Sequence, residues 1–131
     1  MNVIEHLDND EDAVKNISKM LSDSGRAIVL VPKGMWLFGS QDEVLGHKRR
    51  YSEKMILKIA KAANLKVKTF INFNKISTLP WYVNGKILKK KTFSRFQLFL
   101  LDISIPIIKK IEKFLPWPSL SIIAILEKIE R

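Results

Sequence analysis

The amino-acid sequence predicts an α/β domain, and three observations predict it. Helical and strand periods alternate along the chain. The segment "RAIVLVP", residues 26–32, is a continuous run rich in β-branched residues, the pattern of a strand buried on both faces of a parallel sheet. A second apolar run, "SLSIIAILEK", follows a firm "PWP" break at 116–118 and reads as a last strand. The 131 residues are 47% hydrophobic and 27% charged, with mean hydropathy near zero, which suits one domain with a modest core.

Each element has a local reason. "NVIEH", residues 2–6, reads as a strand end or the loop after one. In "LDNDEDAVKNISKMLSDSGR", Val14, Ile17, Met20 and Leu21 recur at helical spacing. Asp8 with Glu11 offers a capping-box start, the acids of the first turn complement the helix dipole, and Gly25 is a natural stop. Residues 33–51 carry no helical or strand period, and connections of that length are usually functional. Ser52 can cap a helix whose buried stripe is Ile56, Ile59, Ala60 and Ala63, with Asn64 ending it. "LKVKTFINF", residues 65–73, begins with apolar–cationic alternation, as a half-exposed strand does. Residues 75–95 are irregular, basic and aromatic. A helix follows from about 95 to 114, which Pro106 is expected to kink or split. The last strand spans 119–129, centred on Ile122 to Leu126. Three strands make a small sheet, and a two-sided buried strand needs neighbours on it, so the chain reads as half of a larger sheet.

Charge and composition narrow the function classes. The net charge is +10, yet residues 1–25 hold six acids against two lysines, so the remainder is strongly basic. A basic surface points to polyanionic partners: nucleic acid, phosphorylated substrates or anionic lipid headgroups. The absence of cysteine excludes disulfides and thiolate metal sites, and fits a cytoplasmic chain. The acidic start lacks the form of a signal peptide.

Taken in order, the segments resemble the C-terminal half of a class I S-adenosylmethionine-dependent methyltransferase of the type-11/type-12 sort. "NVIEHLDND" resembles the segment after the fourth strand of that fold, and "LSDSGRAIVLVP" the next helix, its glycine turn and the fifth strand. "WLFGSQDEVLGHKRRYS" resembles a loop of one subgroup, W-x-F-G-x-x-D-x-x-x-G-H-x-R-R-Y, and is the most specific of these likenesses. "AANLKV" resembles a helix-to-strand junction, and 119–129 the closing strand. The resemblance implies a partial Rossmann-like sheet in one partial domain, 1–131, with a basic, aromatic helical insertion at 75–118. The glycine-rich cofactor loop of the family has no counterpart, since no G-x-G occurs. The complete enzyme would use S-adenosylmethionine, whereas this chain alone would bind it weakly or not at all.

The candidate site residues follow. By resemblance, Glu5 and His6 line the cofactor or substrate pocket, and His6 is a candidate base. His47 is a second catalytic candidate. His47, Arg49, Arg50 and Tyr51, with Asp42 orienting the imidazole and Trp36 as an apolar wall, suit a phosphate or carboxylate on a small or lipid-linked substrate. The competing reading pairs Arg50 with Asp42 or Glu43 to order the loop, and puts Trp36 and Phe38 in the core. No metal is expected, because no H-x-x-x-H spacing exists. For 80–118, two readings stand: an element docking on an anionic membrane, or one packing on the sheet or on a second copy. A homodimer, or a partner chain supplying the N-terminal half, is a further expectation. Nucleic acid is not expected, for want of a helix-turn-helix, RNA-recognition or zinc-finger pattern.

Overall fold

The computed structural model describes residues 2–129. The elements are α1 (Asp10–Met20), β1 (Arg26–Pro32), α2 (Ser40–Leu45), α3 (Glu53–Ala62), β2 (Leu65–Phe73), α4 (Thr78–Tyr82), α5 (Arg95–Ile111) and β3 (Ser121–Lys128). Single 3-10 turns lie at Ile4–His6, Met35–Leu37 and Glu112–Phe114, and a π turn at Val83–Ile87 continues α4. The sheet has three strands in the order β1-β3-β2, and β3 runs antiparallel to both neighbours. β1 and β2 are therefore parallel to each other, joined through α3, with the last strand inserted between them.

That arrangement explains the burial. β3 is the central strand, and Ile122, Ala124 and Leu126 point into the core beside Val29 and Val31 of β1 and Leu65 of β2. α1 and α3 cover this face with Val14, Ile56, Ile59 and Ala60. Ser52 caps α3 by accepting from Met55 N, and Asn64 ends the helix region with φ of 55°, both as the spacing predicts.

Four expectations need correction. First, β1 is not a two-sided buried strand in a parallel pair. Its strand neighbour is antiparallel, and although Val29 and Val31 are buried, Ile28 is 58% exposed. Ile28, Ile125, Ile123 and Ile71 share a sheet face that the core helices do not cover. Second, the cap of α1 is Asn9, whose side chain accepts from Asp12 N at 3.1 Å, one residue later than the Asp8–Glu11 box; Asp8 instead pairs with Lys48. Third, the aperiodic stretches contain short helices, α2 and α4, each too brief to show a period. Fourth, Pro106 does not split the helix, since α5 continues through it. It starts on a capping box in which Ser94 Oγ accepts from Gln97 N and Gln97 Oε1 accepts from Ser94 N.

The connection after β1 is tied back to the strand end. Tyr51 N donates to Pro32 O, Gly34 N to Tyr51 O and Lys33 N to Leu120 O, all at 2.8–2.9 Å. The loop therefore folds over the carboxyl end of β1, the side on which open α/β sheets hold ligands.

Candidate functional site

At the centre of this loop is one buried carboxylate. Asp42 stands in the first turn of α2 and is fully buried. Its Oδ1 accepts from His47 Nδ1 at 2.8 Å and Arg50 Nη1 at 2.9 Å, and its Oδ2 from Gly39 N at 3.1 Å and Trp81 Nε1 at 3.3 Å. Burial pushes the Asp42 carboxyl up, but the His47 hydrogen bond, the Arg50 charge and the Gly39 amide outweigh it, leaving the group below its usual range. Arg50 is equally buried. Its Nε donates to Lys33 O at 2.9 Å, its Nη2 to Leu120 O at 2.6 Å, and its guanidinium lies 5.6 Å from the Trp81 ring centroid. Burial lowers its pKa, opposed by Asp42, without removing the charge.

Two glycines let the loop close. Gly46 ends α2 at φ 74°, a left-handed conformation costly for other residues. At Gly39 a Cβ would lie 2.8 Å from Gly85 O, so only glycine allows the backbones to approach.

A second set of bonds clamps the loop to the N-terminal segment. Lys48 N donates to Glu5 O at 2.8 Å, and His6 Nδ1 lies 3.0 Å from Gly46 O. The Tyr51 hydroxyl is 2.8 Å from Asp10 Oδ2 and 3.2 Å from Ile4 O. Arg49 pairs with Asp10 at 2.8 Å and donates to Asp8 O at 3.2 Å. These bonds bring His6 and His47 edge to face, with ring centroids 5.0 Å apart. Both Nδ1 atoms face acceptors, so each neutral ring carries its proton there and presents Nε2 as a lone pair. Glu5 is buried beside them, its Oε1 3.7 Å from His6 Nε2.

The candidate residues thus divide. Asp42, Arg50 and Tyr51 are buried with their polar atoms engaged by the protein, and Arg49 is engaged at its rim. Glu5, His6 and His47 gather at one point, where one donor atom from each lies within 4.8 Å of the others. Trp36 is half-exposed, 5.9 Å ring to ring from Tyr82, while its neighbour Leu37 takes the core position. Phe38 is half-buried. Trp81 and Asp10 escaped the sequence reading, since their partners lie 39 and 41 residues away and no local pattern marks them.

Tyr51 supplies a pH-dependent prediction. Burial, then its hydrogen bond to Asp10 and the Asp10 charge, push the phenol well above its ordinary value of 10.0, Arg49 opposing. A pKa raised by folding contributes stability that is full below the unfolded value and is lost as pH rises above it. Wild type should therefore begin to lose urea stability at about pH 10 and go on losing it as the pH rises toward the folded value. Tyr51→Phe should cost about 1–2 kcal/mol at neutral pH and flatten that loss. Urea midpoints by circular dichroism check both; an unchanged alkaline slope in the variant would refute the assignment.

No protein-family model and no curated protein sequence matches this chain.

Proposed function

We propose that this chain is the C-terminal half of a class I S-adenosylmethionine-dependent methyltransferase, acting on a small or lipid-linked acceptor. The observation that carries the reading is that the residues of the W-x-F-G-x-x-D-x-x-x-G-H-x-R-R-Y pattern have interlocking tasks. Gly39 and Gly46 permit the fold of the loop, Asp42 orients His47, Arg50 anchors Asp42 to the strand ends, and Arg49 and Tyr51 reach the segment behind Glu5–His6. A motif with that many mutual contacts is more specific than its letters suggest. β1 and β2, which run in the same direction on either side of the antiparallel closing strand and are joined through α3, also suit a Rossmann-like half-sheet.

In this reading the cofactor supplies the electrophilic methyl group, and the rest of its pocket comes from outside these 131 residues. Glu5 and His6 would border the methyl. His47 or His6 would take the acceptor's proton on Nε2, His47 held in the correct tautomer by Asp42. Positioning supplies much of the remaining rate. Calorimetry tests the proposal. The chain alone should bind S-adenosylmethionine no tighter than millimolar, and a polypeptide encoded immediately upstream, carrying a glycine-rich strand-loop-helix, should restore micromolar binding on co-expression. Micromolar binding by the chain alone, or none by the pair, overturns it.

A second reading concerns where the chain works, and α5 favours it. None of the 17 residues of this helix is buried. Phe96, Phe99, Leu100, Ile103 and Ile107 form one outward stripe along it, all about half-exposed or more, and Phe114 continues beyond. Exposed apolar patches of that extent mark interaction surfaces. Behind it lies an apolar groove of ≈ 510 Å³ between α5 and α4. Residues 83–114 hold eight cations against two acids, and among the described residues Lys86, Lys89, Lys90, Lys91, Lys109 and Lys110 have no ion pair. A second copy would bring the same positive charge to the contact, whereas an anionic bilayer neutralises it. No described helix is long and apolar enough to cross a membrane, so α5 would lie in the interface. Vesicle flotation tests this reading.

A further inference from the structure

We propose that Glu5, His6 and His47 form a binding site for a first-row divalent transition metal ion. One donor atom from each residue lies within 4.8 Å of the others, although His47 is 41 residues from His6 in sequence. Nothing in the linear spacing marks the set; it exists because the loop is clamped to residues 4–6.

The orientation of the imidazoles is that of ligands. A metal-binding histidine generally donates its other ring N–H to a carboxylate or a backbone carbonyl, which fixes tautomer and ring plane. Both kinds of support are present. His47 Nδ1 is 2.8 Å from Asp42 Oδ1, and His6 Nδ1 is 3.0 Å from Gly46 O. Asp42 is itself held by Arg50, Gly39 and Trp81, so the support of His47 is rigid.

Glu5 is the independent observation. Its side chain is 1% exposed, and its Oε2 has no hydrogen-bond partner. The Asn2 amide, turned to donate, reaches only Oε1. The cations of the loop are paired with other acids, Lys48 with Asp8, Arg49 with Asp10 and Arg50 with Asp42, and among the described residues the one ion-pair partner of Glu5 is His6, at Oε1 and not at Oε2. A buried carboxylate oxygen without a donor or a countercharge is costly, and a cation held jointly with the two Nε2 atoms relieves it.

The donor set selects the metal. Two imidazoles and one carboxylate suit Zn²⁺, Co²⁺, Fe²⁺ or Mn²⁺, whereas Mg²⁺ and Ca²⁺ prefer all-oxygen cages. Tetrahedral bonds of about 2.1 Å place donors roughly 3.4 Å apart, so the three must draw together on binding. The His6 side chain, 40% exposed, has room to make that move and leaves one side of the ion open to water or an acceptor oxygen. The ion would engage both lone pairs that methyl transfer could otherwise use as bases, and would lower the pKa of the bound oxygen instead. Metal binding itself rests on no step of the methyl-transfer reading.

The test uses the full chain alone. Titration with Co²⁺ should develop visible absorption at one equivalent, and Zn²⁺ should displace it and raise Tm. Glu5→Gln and His47→Ala should each weaken Zn²⁺ binding by at least about tenfold and abolish the Tm shift. His6→Ala, at the exposed ligand, covers the case in which a buried variant does not fold. The proposal is overturned by the absence of saturable binding below millimolar Zn²⁺, or by affinity unchanged in folded His6→Ala. Either result leaves the S-adenosylmethionine calorimetry unaffected.

Discussion

Asp42→Ala should cost about 3–5 kcal/mol, a large share of the stability of a domain of this size. The substitution strips a fully buried guanidinium of its countercharge and leaves His47 Nδ1, Gly39 N and Trp81 Nε1 without their acceptor. Asp42→Asn, which keeps the shape but loses the charge, should fall between wild type and alanine. Replacing both partners, Asp42→Leu with Arg50→Met, should recover part of the loss, since removing a buried pair costs less than orphaning one member. The linkage has a definite sign. The folded Asp42 pKa lies below its ordinary value of 3.8, so its contribution is full above that value and is lost as pH falls through the folded pKa. Urea denaturation at neutral and acid pH checks the set. A loss below about 1 kcal/mol for the alanine variant would show a pair worth no more than a surface ion pair.

Flotation should carry wild-type chain with vesicles of phosphatidylglycerol and phosphatidylcholine, and not with phosphatidylcholine alone. Two terms set the affinity. The apolar stripe of α5 contributes on the order of 1.5–3 kcal/mol for each side chain fully taken from water, and each lysine near an anionic surface about 1 kcal/mol. Phe99→Glu with Ile103→Glu should therefore weaken binding by at least about 100-fold. Lys89, Lys90 and Lys91 changed together to glutamine should weaken it by about 100-fold and reduce its salt dependence. All these positions are exposed, so the fold should survive, with circular dichroism as control. No vesicle binding, or a concentration-dependent dimer that Ile103→Glu dissolves, would replace the bilayer by a second copy. Binding to duplex DNA that Phe99→Glu leaves intact would replace it by nucleic acid.

Much of the fold was legible because it depends on local chemistry. The Ser52 cap, the Ile56–Ile59–Ala60–Ala63 stripe and the apolar runs of β1 and β3 express backbone preferences and side-chain periods within a few residues. The misreadings share a cause. "RAIVLVP" is apolar on both faces, and periodicity cannot say whether a strand's neighbours run parallel or antiparallel, nor whether its second face is covered. α2 and α4 are too short to show a period. Proline at 106 removes one helix bond, which the rest of α5 tolerates.

The site shows the same division. Sequence by itself determined that residues 36–51 hold an acid, a histidine, two arginines and a tyrosine at fixed offsets, because composition and spacing are linear properties. It also determined the basic, aromatic character of 80–118. Only the tertiary structure decided which of these groups are inward. Asp42, Arg50 and Tyr51 fold inward because their partners, Trp81, Leu120, Asp10 and Ile4, arrive from three other segments. Glu5, His6 and His47 meet because the loop's backbone bonds to residues 4–6 hold them there. Long-range hydrogen bonds between buried groups have no sequence period, and they decided which residues hold the loop and which remain able to meet a ligand.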